Sequence, residues 1–395
     1  MSKKVLSNKS TFKCPNNNPY YCTSKTNSFG LCSKSVKNCD NRKKKHKLPI
    51  TKKTSDNITQ KFAYENKHLL KDCYPKKKEI DLEVKKWKKG DDVPDNFKII
   101  TYNIWGLSRG NKNDKLYCYE KRMSKIKDIL LNSNADILCL QEMSSKSYKK
   151  LILKYKILKK HYPYISKLKI NNKDATVFLL SKIKPKEIRI YNTFGNLGYQ
   201  LRIMIVKYNN LTVFNIHSQA GCKYSPGQEL KWMHYARCRK EHFRYIKDLM
   251  KKFLSKPVIL LGDFNCHLDG DLKNWPETNE FNSLKFTDIW KHLKKNKKGL
   301  TEDTKKNLMR WNLKQLEKQF RYDGIKYNKY LKGVNTKMLG TEPFLLTKTQ
   351  NEHYKKVYEL DKKKIRYTNK SKMISMWPSD HFGVSVNLQF KSVET

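Results

Sequence analysis

The sequence has no run of apolar residues approaching the length of about eighteen that a membrane-spanning helix needs. Its first residues, Met1-Ser2-Lys3-Lys4, lead into polar sequence rather than an apolar segment. We therefore expect neither a membrane span nor a secretory signal. Acidic residues are also few, 36 against 85 lysines and arginines, which gives a formal net charge of +49. Such an excess favours polyanionic partners, either nucleic acid or an anionic membrane surface.

Arginine is scarce as well, since only eleven of the 85 basic residues are arginine. The lysines are spread along the whole chain, together with many asparagines and isoleucines. This composition is also typical of coding bias in an A+T-rich genome, so the charge has two explanations, one functional and one compositional. The length of 395 residues, 38% of them hydrophobic, is sufficient for a large core.

The N-terminal residues 1–45 have little apolar sequence and four cysteines, Cys14, Cys22, Cys32 and Cys39. Two disulfides are the first explanation for them, and a tail with incidental cysteines is another. Zinc is less favoured, because close Cys-x-x-Cys pairs are absent. The segment resembles short cysteine modules at the ends of some structural proteins of large DNA viruses. That resemblance would imply a virion or the cytoplasm of an infected host cell.

Residues 46–95 are rich in lysine and are predicted to be a solvated linker, with a polybasic arm for nucleic acid as the alternative. The folded domain is predicted over 96–393. The remaining cysteines are scattered and are expected to be reduced, partly buried thiols; they are Cys73, Cys118, Cys139, Cys222, Cys238 and Cys266.

Apolar segments that end in a polar side chain recur through this domain. The central one is Ile259-Leu260-Leu261-Gly262-Asp263-Phe264-Asn265, which predicts a buried strand followed by an acid and an amide. Four other segments end in the same way: Lys98 to Asn103, Ala135 to Glu142, Leu211 to His217, and Trp377 to His381, which includes Asp380. A core needs no polar group at these positions, so the pattern indicates function rather than packing.

Helical periodicity predicts helices over Lys121 to Leu131 and over Glu229 to Phe253. A hairpin is predicted between Leu201 to Val206 and Leu211 to Ile216. Residues 326–370 form a lysine- and tyrosine-rich insertion with no readable pattern. Periodicity alone therefore predicts a mixed α and β protein with helices outside packed sheets.

The ordered set of polar segments resembles the endonuclease/exonuclease/phosphatase superfamily of metal-dependent phosphoesterases. The matching segments are Thr101-Tyr102-Asn103, Gln141-Glu142, Asn215-Ile216-His217, Gly262-Asp263-Phe264-Asn265, Arg321-Tyr322-Asp323-Gly324-Ile325 and Ser379-Asp380-His381. The resemblance implies an α+β fold, a four-layer α/β/β/α sandwich of two packed mixed sheets like that of DNase I.

The resemblance also implies a role for each residue in phosphodiester hydrolysis with Mg²⁺ or Mn²⁺. Glu142, Asn103 and Asp380 are the expected metal ligands. His381 is the expected general base or phosphate-holding group, and Asp323 is its partner. The other three residues complete the set: Asp263 and Asn265 would orient water and bind a phosphate oxygen, and His217 would stabilise the leaving group or protonate it. Taken singly, each residue also fits an ordinary structural position, such as Asp323 in a turn before Gly324.

The substrate is left open between two classes. Asn103-Ile104-Trp105-Gly106 and His217-Ser218-Gln219-Ala220 are similar to segments of neutral sphingomyelinases, which favours a lipid phosphodiesterase. The basic composition favours a DNA or RNA nuclease. A third alternative is a basic virion or nucleic-acid-packaging protein with a vestigial catalytic fold, against which the complete set of acids and histidines argues.

Overall fold

Two mixed β-sheets, one of seven strands and one of six, carry the described part of the chain. The computed structural model describes residues 80–106, 118–166, 176–194, 200–221, 229–272, 275–310, 317–360, 362, 364–367 and 369–392. The chain divides into two units, 73–221 with 236–395 and 1–72 with 222–235, and the first contains both sheets. The predicted cysteine module 1–45 and the linker up to residue 79 lie outside the described residues.

The strands, numbered in chain order, are β1 Ile80–Lys86, β2 Asn96–Asn103, β3 Ile137–Met143, β4 Tyr164–Ile165, β5 Thr176–Ser181, β6 Glu187–Phe194, β7 Gln200–Lys207, β8 Thr212–His217, β9 Val258–Asp263, β10 Thr287–Asp288, β11 Glu302–Asp303, β12 Gln319–Phe320, β13 Asp323–Tyr327, β14 Leu331–Leu339, β15 Phe344–Leu345, β16 Ser375–Met376 and β17 Gly383–Phe390. The α-helices are α1 Tyr119–Ser133, α2 Ser145–Tyr148, α3 Lys156–His161, α4 Glu229–Met250, α5 Ile289–Leu293 and α6 Lys348–Leu360. A π-helical segment covers Lys149–Lys154, and 3₁₀ segments cover Lys251–Phe253 and Pro276–Leu284.

The seven-stranded sheet has the order β1-β6-β7-β8-β9-β13-β10, and the six-stranded sheet has the order β14-β17-β2-β3-β5-β4. The β2/β3 and β8/β9 pairs are parallel, whereas their neighbours in the two sheets are antiparallel. Both sheets are therefore mixed. This confirms the predicted fold class, and the predicted hairpin is the β7/β8 pair.

The alternation of side chains along β3 shows how the layers form. Ile137 and Cys139 lie in the apolar core between the two sheets, whereas Leu138 and Leu140 pack with helix α1 on the outer face. This is the two-residue period of a strand buried on both faces. On the far side of the other sheet, Phe243 of α4 packs against Phe264 with ring centroids 6.2 Å apart. The order of layers is helix, sheet, sheet, helix.

A polar bridge crosses the core between the sheets. Nε2 of Gln141 donates to Oδ1 of Asn215 at 2.7 Å and to Oγ1 of Thr101 at 3.0 Å. All three residues are fully buried, so these bonds offset part of the cost of removing their polar groups from water. The bridge holds β3 of one sheet to β8 of the other close to the predicted site.

Part of the predicted linker, Ile80–Lys86, is strand β1, which pairs with β6. Cys118, Cys139 and Cys266 are free and buried, as predicted, but the expectation of a reduced thiol is wrong for Cys238, which is disulfide-bonded. Scattered spacing in sequence does not reveal which thiols the fold brings together. Among the described residues, no helix has the length and apolar character required to cross a bilayer.

Candidate active site

The ends of the central strands meet at one edge of the sandwich. Asn103, His217 and Asp263 are the last residues of β2, β8 and β9, and Asp323 is the first residue of β13. In the sheet register His217 lies opposite Asp263, and Asp263 lies opposite Asp323. Three polar residues from distant parts of the sequence thus lie side by side.

Gly262 permits the close approach of β8 and β9 at this edge. Its φ is +137°, and a Cβ atom there would lie 2.0 Å from the carbonyl oxygen of Ile216. Because every other residue has a Cβ, only glycine fits this position, and it directly precedes Asp263.

A β-bulge in β3 sets the position of the Glu142 side chain. The pairing of β3 with β5 shifts register between Leu140 and Met143, and Glu142 has a φ of 58° in the left-handed region. A non-glycine residue with this conformation stores backbone strain, which concentrates at functional sites. The bulge brings the Glu142 carboxylate to the end of β2, where Asn103 lies.

Asn103 joins two carboxylates. Its Nδ2 donates to Oδ2 of Asp263 at 2.9 Å and to Oε1 of Glu142 at 3.3 Å. Nε2 of His217 lies 3.6 Å from Oδ2 of Asp263 and 3.9 Å from Oε1 of Glu142. Asp263 also accepts a bond of 2.8 Å from the backbone amide of Asn265, whose side chain donates to the carbonyl oxygen of Ser218 at 3.0 Å. These contacts form one connected group.

The protonation equilibria of this group are shifted. Burial, and after it the carboxylate of Asp323, raises the pKa of Asp263 to about 7. Burial, followed by the carboxylate of Asp380, raises the pKa of Glu142. Burial also lowers the pKa of His217 to about 3, so its imidazole is neutral at physiological pH. The raised pKa values of Asp263 and Glu142 indicate that the positive charge nearby does not offset the cost of burying these two carboxylates.

Asp323 and His381 form a buried hydrogen-bonded pair, with Oδ2 of Asp323 2.7 Å from Nδ1 of His381. Oγ1 of Thr301 accepts bonds from the backbone amides of Tyr322 and Asp323, at 2.9 and 3.0 Å, which fix the start of β13. Burial alone would lower the pKa of His381, but the carboxylates around it, that of Asp323 first, raise it well above its usual value. The imidazole is thus positively charged and is oriented by Asp323.

The structure places all eight predicted side chains in this group. Oxygen and nitrogen atoms of Asp263, Asp323 and His381 lie within 4.8 Å of one another. The eight are Asn103, Glu142, His217, Asp263, Asn265, Asp323, Asp380 and His381. Their individual roles remain predictions.

An ion-pair network at Asp380 was not predicted from the sequence. Arg310 lies with Nη1 3.5 Å from Oδ2 of Asp380 and donates from Nε to Oε1 of Glu302 at 3.0 Å. Nζ of Lys318 donates to the other oxygen of Glu302, also at 3.0 Å. Burial would raise the pKa of Glu302, but Lys318 and Arg310 outweigh it and lower that pKa to about 2. Arg310 therefore brings a permanent positive charge to the carboxylates of the site.

Two further residues hold the strand ends together. Oγ of Ser379 donates to the carbonyl oxygen of Asn103 at 2.7 Å. Arg122 of α1 donates to the carbonyl oxygens of Pro378 at 2.9 Å and of Trp105 at 3.1 Å. The segment that carries Asp380 and His381 is thereby tied to the end of β2.

Arg239 of α4 anchors the segment that follows His217. Its Nη1 donates to the carbonyl oxygens of Gln219 and Gly221 at 3.1 and 2.8 Å, and its Nε donates to Oε1 of Glu277 at 2.8 Å. Both charged side chains have an exposed fraction of 0%. This buried ion pair holds the backbone that begins at Ser218, the acceptor of the Asn265 amide.

Changing Arg239 to methionine is expected to lower the free energy of unfolding by about 3–5 kcal/mol, because Glu277 would be left buried without its partner. Urea denaturation measures the change. The matched control is Arg244→Met on the same helix, whose side chain is 45% exposed and whose loss is expected to cost less than about 1 kcal/mol. Equal destabilisation by the two variants would contradict this interpretation.

A signal for the missed arginines is present in the sequence. Lysine supplies most of the positive charge, and arginine occurs only eleven times. Arg122, Arg239 and Arg321 are nevertheless among the largest fully buried side chains of the described residues. Arginine offers five planar donors and keeps its charge when buried, which lysine does less well. Each arginine in such a chain is a candidate for a buried structural role.

Comparison with known proteins decides the family. A sequence model described as the Endonuclease/Exonuclease/phosphatase family matches residues 100–323, more than half of the 395 residues. The chain belongs to this family. Its members are generally phosphoester hydrolases that use divalent metal ions. A comparison with curated proteins returns no match.

Solved structures share the fold of this family member at low sequence identity. TDP2 of D. rerio, complexed with single strand DNA product, is 18% identical, with 75% of this chain and 100% of that chain covered and a TM-score of 0.50. SmcL is 14% identical, with 76% and 100% covered and a TM-score of 0.50. Truncated Caenorhabditis elegans TDP2 is 19% identical, with 75% and 98% covered and a TM-score of 0.49. The likeness to the D. rerio TDP2 and SmcL structures confirms the DNase I-like fold predicted from the sequence.

Proposed function

We propose that this family member hydrolyses phosphodiesters with the help of a bound divalent cation, Mg²⁺ or Mn²⁺. The observation that carries the proposal is the convergence of four carboxylates and two imidazoles at one sheet edge, with His381 bonded to Asp323 at 2.7 Å. A phosphodiester needs charge neutralisation at its anionic oxygens, a base for the attacking water and stabilisation of the leaving oxygen. The group contains candidates for all three tasks.

The donor atoms suit a hard cation. Carboxylate and amide oxygens are the ligands that Mg²⁺ prefers, and Oε2 of Glu142 is buried with no hydrogen-bond partner in the part of the chain described. Glu142, Asn103 and Asp380 would hold the ion. Nδ2 of Asn103 faces the carboxylates, and its Oδ1 accepts a bond of 3.0 Å from the backbone amide of Trp105, so Asn103 would ligate the ion through Oδ1 only if its amide turned and gave up that bond. When bound, the ion neutralises phosphate charge and lowers the pKa of water.

A second set of atoms, from Asp263, Asp323 and His381, is close enough to be considered as metal ligands. We assign these residues to proton transfer and phosphate binding instead, since Asp323 and His381 already bond to each other. Nδ1 of His381 faces Asp323, so Nε2 is the atom offered to a non-bridging phosphate oxygen, and its positive charge suits that contact. Of the two roles predicted for His381, phosphate binding is thus the better supported.

Asp263 is the carboxylate that we assign to the attacking water. Its pKa of about 7 suits a proton acceptor at neutral pH. Asn265 would orient the water through its Oδ1, which can accept a hydrogen bond while Nδ2 donates to the carbonyl oxygen of Ser218. His217 is neutral, which favours hydrogen-bond donation to the leaving oxygen over transfer of a proton.

The features that suggested a lipid substrate have less support in the structure. Trp105 is only 3% exposed and stacks on Arg122 with 4.5 Å between the guanidinium carbon and the ring centroid. A lipid phosphodiesterase also needs exposed apolar residues to dock to a membrane; Trp275 and Leu346 are buried, whereas Leu345 is 52% exposed. The net positive charge of the chain favours nucleic acid, and the substrate class is to be decided by experiment.

A substrate panel with Mg²⁺, Mn²⁺ and EDTA tests the proposal. We expect Mg²⁺-dependent hydrolysis of bis(4-nitrophenyl) phosphate, together with either nicking of plasmid DNA or release of phosphocholine from sphingomyelin, and loss of all activity in EDTA. Asp263→Ala, purified in parallel, should be inactive, which excludes a contaminating enzyme. Tight, salt-sensitive DNA binding without turnover under any divalent ion would instead indicate a packaging protein.

A further inference from the structure

A cluster of lysines lies outside the catalytic group. A cavity of about 690 Å³ is lined by the loop that follows helix α5 and by the segment after Asn265. Five of the eight residues 291–298 are lysine, and all five line it: Lys291, Lys294, Lys295, Lys297 and Lys298. We call it the lysine cavity. Its volume lies in the range of ordinary ligand sites.

The charge of the lysine cavity is largely uncompensated. Asp269 is the one acid of its lining, and it already bonds to Arg321 at 2.6 Å and lies 3.1 Å from Nζ of Lys291. The other four lysines have no ion-pair partner within the described ranges, and His267 adds no charge because burial lowers its pKa. The lining therefore has five lysines against one acid, and that acid is already paired.

The loop that displays these lysines has a defined shape. Nε1 of Trp290 donates to the carbonyl oxygen of Lys297 at 2.8 Å, and the backbone amide of Lys297 donates to the carbonyl oxygen of Lys294 at 2.8 Å. Gly299 has a φ of +61°, and a Cβ atom there would lie 2.3 Å from the indole nitrogen. The loop is therefore folded closely over Trp290, which reduces the entropy lost when an anion binds.

The lysine cavity has a fixed relation to the catalytic group. The backbone amide of Arg321, two residues before Asp323, donates to Nδ1 of His267 in the cavity wall at 3.1 Å. Ring centroids connect the two sites in three steps, 5.3 Å from His267 to Phe320, 5.3 Å from Phe320 to Tyr322 and 6.3 Å from Tyr322 to His381. The rings of His267 and His381 are therefore at most about 17 Å apart, a distance that about five nucleotides span at about 3.4 Å each.

We propose that the lysine cavity binds the backbone phosphates of a polynucleotide strand whose neighbouring phosphodiester occupies the catalytic group. This inference rests on the proposed function and names its substrate class as nucleic acid. A zwitterionic phosphocholine head group would bring its own cation against unpaired lysines. A flat anionic bilayer does not fit a concave site, and the apolar side chains of the lining, Trp290 and Leu300, are covered or half-buried.

The test compares two triple variants that reverse three exposed lysines each. One is Lys295→Glu/Lys297→Glu/Lys298→Glu in the cavity, and the control is Lys156→Glu/Lys159→Glu/Lys160→Glu around helix α3. The probe is a short fluorescent oligodeoxythymidine, titrated in EDTA so that binding is read without hydrolysis. For the cavity variant we expect a Kd at least about tenfold higher, and a salt slope shallower by about 2, since each lost phosphate contact removes about 0.7.

Hydrolysis provides an independent measurement. The ratio of kcat/KM on the oligonucleotide to kcat/KM on bis(4-nitrophenyl) phosphate should fall about tenfold in the cavity variant and stay within about twofold in the control, because one diester cannot reach both sites. Inactivity of the unmodified protein on every diester would refute the proposed function but leave the binding measurement readable.

Three results would overturn the proposal for the cavity. One is equal weakening of oligonucleotide binding by both variants, and another is an unchanged salt slope in the cavity variant. The third is a cavity variant that loses binding to vesicles of phosphatidylserine and phosphatidylcholine while its affinity for the oligonucleotide is unchanged, which would assign the cavity to an anionic lipid surface.

Discussion

Changing His381 to alanine is expected to lower kcat by about 10³- to 10⁴-fold. The imidazole is nearly enclosed, with a side chain that is 6% exposed, and its Nδ1 bonds to a fully buried carboxylate. Its removal takes away the positive charge assigned to the phosphate. Steady-state kinetics on bis(4-nitrophenyl) phosphate with saturating Mg²⁺ measures the effect.

Asp323→Asn should show the same defect in weaker form, by about 10²-fold, because the ring stays but loses the acceptor that orients it and raises its pKa. The double variant should be little worse than His381→Ala alone, since the two residues act as a unit. The control is His353→Ala, which removes an exposed imidazole on α6. A folded His381→Ala protein that retained more than about a tenth of the kcat would contradict the assigned role.

The sequence predicted the catalytic group well because its signals are local. Strands β2, β8 and β9 end in residues that the site uses, which are Asn103, His217 and Asp263. Glu142 is the penultimate residue of β3, and Asp380 and His381 lie just before β17. A polar side chain at the end of a buried run is visible without knowledge of the partner strand. The order of these ends along the chain then indicated the family, and the family implied the sandwich.

The supporting residues could not be predicted in this way, because each depends on a contact between distant segments. Arg310 meets Asp380 seventy residues later, and Arg122 meets Pro378 across 256 positions. The scarcity of arginine marks both as candidates for buried roles, but no local pattern gives their partners. The lysine cavity was hidden for another reason, since a run of lysines in a chain of charge +49 has no contrast with its surroundings. Only the fold shows that these lysines share one concave surface.

The insertion 326–370 was unreadable because its longest strand does not alternate cleanly. Strand β14 pairs with β17, but the register shifts between Gly333 and Asn335, which breaks the two-residue period. Leu346, which follows the short strand β15, and Tyr354 and Tyr358 of helix α6 belong to a small core shared with Trp105. This segment thus packs beside the end of β2, a contribution that no local pattern indicated.

Changing Glu142 to glutamine is expected to have two effects of opposite sign, which together test the assignment of the metal ligands. Folding raises the pKa of Glu142, so its ionised carboxylate destabilises the folded state at neutral pH, and removal of the charge should raise the free energy of unfolding in EDTA. The same change should remove most of the stabilisation by Mg²⁺, which for the unmodified protein amounts to about 2.7 kcal/mol at a concentration of 100 Kd.

Thermal unfolding with and without Mg²⁺ measures both effects and requires no activity. The expected pattern is a Tm in EDTA that is higher for Glu142→Gln than for the unmodified protein, and a Tm that no longer responds to Mg²⁺. Glu352→Gln, which removes an exposed carboxylate on α6, should change neither quantity. If Glu142→Gln kept its full response to Mg²⁺, the ion would have to be held elsewhere, and the set of Asp263, Asp323 and His381 would replace Glu142, Asn103 and Asp380 as the candidate ligands. The two assignments of the metal ligands therefore make different predictions for Glu142→Gln. Only the assignment to Glu142, Asn103 and Asp380 makes the cation the partner that the buried Glu142 carboxylate lacks.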